Sequence, residues 1–209
     1  MIVEIFQDTV CPWCRIGKKH LFDAISQWTG EEIHVRYRSY QLNAQVPVEG
    51  MPFRTYMGSL KGGPQVVEQM LEQVTRAGEA AGLAFHFDKV EKMPNTLLSH
   101  QLIKSAPEEL QGKIVDAIYK AYFEEGRDIG ERDVLLAIAK EAGLDDELAS
   151  EALQAGRHRD DIQADISFAQ ANQITGVPFF VLDGKLGLSG AHPVENFLKA
   201  FRQVTEQSS

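Results

Sequence analysis

Asp8-Thr9-Val10-Cys11-Pro12-Trp13-Cys14-Arg15-Ile16-Gly17 sets two cysteines three residues apart at the point where one periodicity gives way to another. Upstream, Ile2 to Phe6 is a short β-branched run that reads as a strand. Downstream, Trp13, Ile16, Leu21, Ala24, Ile25 and Trp28 fall near helical spacing, so a helix is expected over 12–28, with Gly30 as its stop. Pro12 suits the first helical position, which makes Cys11 the N-cap. The free amides and positive end of that helix then face the Cys11 sulfur and favour its thiolate. Cys14, one turn on, lies on the same side. The expected division is Cys11 as an exposed attacking thiolate and Cys14 as the buried thiol that resolves a mixed disulfide. Trp13 is expected to be exposed enough to contact substrate and to report the redox state by fluorescence.

The flanks extend this unit. Ile33, Val35 and Tyr37 alternate with His34, Arg36 and Arg38, the mark of a strand with one buried face. Two strands joined through a helix should run parallel. Near the other end, Gly176-Val177-Pro178 leads into Phe179-Phe180-Val181-Leu182, then Asp183-Gly184, then Lys185-Leu186-Gly187-Leu188. Asp-Gly between apolar runs predicts a hairpin, since both central residues of its turn need positive φ. A closing helix follows on the stripe Val194, Phe197, Leu198, Phe201 and Val204, with Pro193 in its first turn. Between these ends the chain reads as mostly helical, with stripes from Val67 to Ala81 and from Leu110 to Tyr122 and shorter helices near 134–142 and 148–153. Gly58 to Pro64 reads as a loop, Pro94-Asn95-Thr96 as a helix cap, and 157–174 as a returning helix. Arg36 and Arg38 read as a solvated or insertion-facing side of their strand. The expected architecture is an α/β fold in three stretches: 1–44 (β-α-β), a helical insertion over 45–156, and 157–209 (α-β-β-α).

Composition narrows the function. The chain of 209 residues has 21 Lys plus Arg against 30 Asp plus Glu, a formal net charge of −9, which disfavours nucleic acid as a partner. No 18-residue apolar run suggests a membrane span, and the opening Met1-Ile2-Val3-Glu4 lacks a basic leader, so a cytoplasmic protein without a secretory signal is expected. Two cysteines are too few for a disulfide scaffold. Zinc would need two further ligands, and the six histidines offer no pair at the usual spacing, so no metal is expected.

The blocks Asp8–Gly17, Tyr40-Gln41-Leu42-Asn43, Gly50-Met51-Pro52, Pro94-Asn95-Thr96, Ala121–Gly130 (AYFEEGRDIG) and Ile174–Gly190 (ITGVPFFVLDGKLGLSG) span nearly the whole chain. In that order they resemble the DsbA family of thioredoxin-fold proteins, and within it the FrnE-like branch of cytoplasmic dithiol–disulfide isomerases. The resemblance implies a thioredoxin fold, a central mixed sheet flanked by helices, with the middle of the chain as a helical lid. It implies that Pro178 is a cis-proline beside the active site and that Val177 offers its backbone to substrate, with Pro12 and Trp13 as further substrate contacts. Arg15 departs from the bulky residue expected after the second cysteine and puts a charge near Cys14.

The leading expectation is therefore a thiol–disulfide oxidoreductase or isomerase acting on disulfide-containing proteins, peptides or small disulfides. It would be recycled by a thiol reductant and hold no tightly bound cofactor, the Cys11–Cys14 disulfide being its redox centre. Glutathione is a candidate co-substrate, and the chain is expected to be a monomer or homodimer. One alternative is a glutathione-dependent isomerase or transferase like the kappa-class glutathione S-transferases and 2-hydroxychromene-2-carboxylate isomerases. Those relatives usually carry serine at the position of Cys11 and lack the second cysteine, so Cys14 argues against it. A redox-switched binding or holdase module is the other.

Overall fold

The computed structural model describes residues 1–154 and 156–207. The chain opens with β1 (Ile2–Gln7), α1 (Pro12–Gln27) and β2 (His34–Ser39). A two-residue strand β3 (Met51–Pro52) leads into α2 (Phe53–Lys61) and α3 (Pro64–Ala80), and its partner β4 (Lys92–Met93) follows. Then come α4 (Leu97–Ser105), α5 (Glu108–Phe123), α6 (Arg132–Ala142), α7 (Asp146–Ala152) and α8 (Arg159–Ala171). The hairpin β5 (Phe179–Leu182) and β6 (Leu186–Ser189) precedes the closing helix α9 (Val194–Glu206). No helix among the described residues is long and apolar enough to cross a membrane.

The main sheet has the order β2-β1-β5-β6. β2 runs parallel to β1, from Ile2 opposite His34 to Gln7 opposite Ser39, whereas β5 runs antiparallel to β1 and β6 antiparallel to β5. Strand alternation sends β1 side chains to two covered faces. Val3 and Ile5 join Phe180, Leu182, Leu21 and Phe197 in the core under α1 and α9, and Phe180 meets Phe197 edge to face at 4.8 Å. Phe6 points the other way, stacking on Phe168 of α8 with centroids 5.7 Å apart. The hairpin turn has Asp183 at φ 47° and Gly184 at φ 65°, and Lys185 donates its N–H to Leu182 O at 2.9 Å. That is the turn the Asp-Gly pair predicts.

Three local expectations need correction. Gly58 to Lys61 is helical, the end of α2, and the break falls only at Gly62 and Gly63, with φ 91° and 115°. A Cβ on Gly58 would meet nothing within 4 Å, so this glycine marks no turn and no close approach. α1 stops at Trp28 in an extended conformation rather than on a left-handed Gly30. Gly30 instead clears the indole of Trp28, which a Cβ would approach to 2.3 Å. Pro193 takes the N-cap of α9, one position ahead of its first turn.

Arg38 lies on a partly solvated side of β2, beside Lys104 of α4 and Glu108 of α5, the side expected for it. Its guanidinium pairs with Glu4 and reaches Asp165 of α8 at 2.9 Å. Asp165, 2% exposed, also accepts the Ser39 N–H at 2.8 Å and pairs with Lys104 of α4. One carboxylate thus ties α8, β2 and α4 together, and its removal leaves two cations and an amide facing each other across a buried gap. Asp165→Ala should cost about 3 kcal/mol in chemical denaturation. A loss under about 0.5 kcal/mol would show that water readily replaces the carboxylate.

Candidate active site

β1 ends at Gln7, and the turn Asp8-Thr9-Val10 delivers the chain to α1. Cys11 closes that turn by donating its N–H to Asp8 O at 3.0 Å, then takes the N-cap of α1 with φ −93° and ψ 109°. Pro12 opens the helix without spending a hydrogen-bond donor, and the Cys14 amide donates to Cys11 Sγ at 3.3 Å. The positive end of α1 therefore faces the sulfur. Cys11 Sγ–H in turn points to Val177 O, at 3.6 Å. The Val177–Pro178 peptide bond is cis, and Pro178 O accepts the Gly190 N–H at 2.8 Å. A Cβ on Gly17 would lie 3.0 Å from Pro178 Cγ and 3.1 Å from Phe180, so the missing side chain lets α1 sit against this loop.

Both cysteines are free thiols. Cys14 is fully buried. Burial first, then the hydrogen bond with Cys11 and the charges of Cys11 and Asp8, push its pKa well above the ordinary thiol value, against an opposing backbone contact from Asp8. Cys11 is not exposed as expected: it is 4% accessible. Residues of α2 and α3 stand across from the CPWC turn and, with it, line a cavity of about 310 Å³. Cys11, Pro12, Trp13 and Val177 all line it, so the structure brings these expected site residues to one wall; Cys14 and Pro178 lie behind. Trp13 is half-buried rather than open to solvent.

A buried polar cluster supports the turn from below. Asp8 accepts the Leu42 N–H at 2.7 Å, and its other oxygen lies 3.3 Å from His100 Nε2, which also lies 3.1 Å from Tyr40 O. Thr9 and Ser99 share a hydrogen bond of 2.7 Å. The Tyr119 hydroxyl donates to Gln7 Oε1 at 2.6 Å, and burial, then the nearby thiols and Asp8, hold it well above the usual tyrosine range, so it stays a donor. Sequence reasoning missed this cluster. Its signal is faint: Gln7-Asp8-Thr9 interrupts an apolar strand end, and its partners lie about a hundred positions away.

Arg15 is buried but turned from the sulfurs. It donates to Ala84 O at 2.7 Å, pairs with Glu124, and stacks over Phe85 at 5.2 Å. Among the described residues, no group of three or more His, Cys, Asp or Glu side chains could hold a metal ion. Asn95, read as a cap, does cap α4: its side-chain oxygen accepts the Leu97 N–H at 3.0 Å, while Thr96 makes no such bond.

Comparison with known proteins adds the family. A model of the DSBA-like thioredoxin domain matches residues 2–202. The structure of a probable DsbA oxidoreductase from Streptomyces coelicolor superposes with a TM-score of 0.90 at 30% identity, covering 97% of this chain and 89% of the other. YwbO of Bacillus subtilis (strain 168) is 26% identical over 204 residues, 95% of this chain and 94% of its own. The cytosolic disulfide reductase DsbM of Pseudomonas aeruginosa, solved with GSH, shares the fold at 20% identity, with a TM-score of 0.69 and coverage of 99% and 100%. The expected thioredoxin fold holds, and the chain belongs to the DsbA-like thioredoxin-domain family.

Proposed function

We propose that this chain is a thiol–disulfide oxidoreductase or isomerase of the cytoplasm, FrnE-like in branch, in which Cys11 attacks and Cys14 resolves. The observation that carries this reading is the seat of Cys11 Sγ: at the N-cap of α1, bonded by the Cys14 amide, and in the wall of a cavity that Cys14 does not reach. Cys11 thiolate attacks one sulfur of a substrate disulfide, the S–S bond breaks, and the departing thiolate takes a proton. Cys14 then loses its proton and attacks Cys11 Sγ, releasing the second substrate thiol and leaving the Cys11–Cys14 disulfide. A low-molecular-weight thiol reductant returns the two electrons.

Two thiols are needed for this cycle, which favours it over glutathione-dependent isomerisation. Replacing Cys11 by Ser should bring reduction of small and polypeptide disulfides alike to the uncatalysed rate; retained turnover of any of them would refute the assignment. Cys14→Ala should instead accumulate a mixed disulfide on Cys11.

The direction of the Cys14 shift sets a pH dependence. A raised pKa leaves little Cys14 thiolate near neutrality, so resolution is slow at low pH and speeds up as pH rises toward that pKa. Stopped-flow release of the second thiol should accelerate by about tenfold per pH unit between pH 7 and 9. A rate independent of pH over that window would mean that Cys14 is already ionised.

A further inference from the structure

The cavity over Cys11 restricts what can reach the sulfur. Apolar side chains, among them Phe53, Met57, Met70, Val74, Phe87 and Phe123, form most of its wall, and only two charged residues line it. One is Asp8, whose carboxylate is already engaged by the Leu42 amide and His100. The other is Lys61, exposed at the C-terminal end of α2. Leu42 and Leu60 also line the cavity and are 52% and 56% exposed, an uncovered apolar border. The neutral polar groups are few, and one pair is self-satisfied, Asn43 donating to the Tyr56 hydroxyl at 3.0 Å.

These walls select by desolvation. A peptide threaded to Cys11 would strip water from its N–H and C=O groups with few partners in exchange, and each unpaired buried group is costly. A disulfide flanked by ammonium or carboxylate groups would lose more. An apolar disulfide loses nothing polar and gains from every methylene it buries. The volume of about 310 Å³ sits at the small end of ligand pockets, roughly 300–1,000 Å³. We propose that the substrate is a small, uncharged disulfide with alkyl or aryl flanks, not a polypeptide. This rests on the redox reading of Cys11 and Cys14 and narrows it. The reaction is RSSR plus the reduced dithiol giving two RSH and the Cys11–Cys14 disulfide, with a thiol reductant closing the cycle.

The test uses the Cys14→Ala protein, which stops at the mixed disulfide. Cys11 thiolate and RSSR give Cys11–S–S–R and one RS⁻ per chain, read by mass spectrometry and thiol release. Dipropyl disulfide, cystamine, oxidised glutathione and insulin are compared, each rate divided by that of the same disulfide with free N-acetylcysteine. Dipropyl disulfide should lead the other three by about 100-fold, the effect of desolvating a charged or peptide flank that the wall leaves unpaired. Met57→Asp, or Leu60→Asp on the exposed border if the first fails to fold, should cut that lead at least tenfold. Equal or faster normalised reaction of insulin or oxidised glutathione would overturn the proposal and leave the redox reading standing. So would a lead untouched by a folded aspartate variant. No mixed disulfide with any of the four would overturn both.

Discussion

The antiparallel pairing of β1 with β5 is the constraint from which the site follows. Its register sets Phe6 against Phe179, so the residues just beyond each strand end up side by side. Cys11 and Val177, 166 positions apart in sequence, come within 3.6 Å because each lies a few residues past that pair. The parallel partner β2 then fixes the crossover helix α1 on one face of the sheet, with its N-terminus at the strand end. Gly17 permits the last approach, since any side chain there would press on Pro178 and Phe180. A slip of β5 by one residue against β1 would turn Phe180 and Leu182 out of the core and carry Val177 off the sulfur.

The helices between β3 and α8 do more than cover the sheet. α4 and α5 supply Ser99, His100 and Tyr119, which hold the Asp8–Thr9 turn from beneath. α2 and α3 roof the sulfur from above. The same set of helices neutralises Arg15 through Glu124, so the residue that distinguishes this CPWC turn acts as a strut between α1 and α5. The result is a Cys11 thiol that lines a small apolar chamber while Cys14 faces the protein interior.

Much of this frame is written locally. The alternation of Val35 and Tyr37, the Asp183-Gly184 turn and the Phe197–Val204 stripe are short-range patterns that sterics and burial translate directly into structure. Pro12 and the spacing of Cys11 and Cys14 are of the same kind. What stayed illegible is long-range. The cavity over Cys11 depends on side chains such as Met57 and Val74, whose position across from the CPWC turn is not written in the sequence. α2 was hidden by Gly58 and the Lys61-Gly62-Gly63 cluster, because turn-rich composition outweighs a weak stripe until Phe53 and Tyr56 find a core to enter. His100, unremarkable as a lone histidine, gains its place only when α4 packs under Asp8.

In the proposed cycle Cys11 and Cys14 form one redox couple. The most direct test is equilibration of the protein in glutathione buffers, followed by tryptophan fluorescence. The couple should show a single two-electron transition, within the range of about −270 to −120 mV spanned by related pairs. Absence of any transition, with both thiols remaining free in the most oxidising buffer, would contradict it.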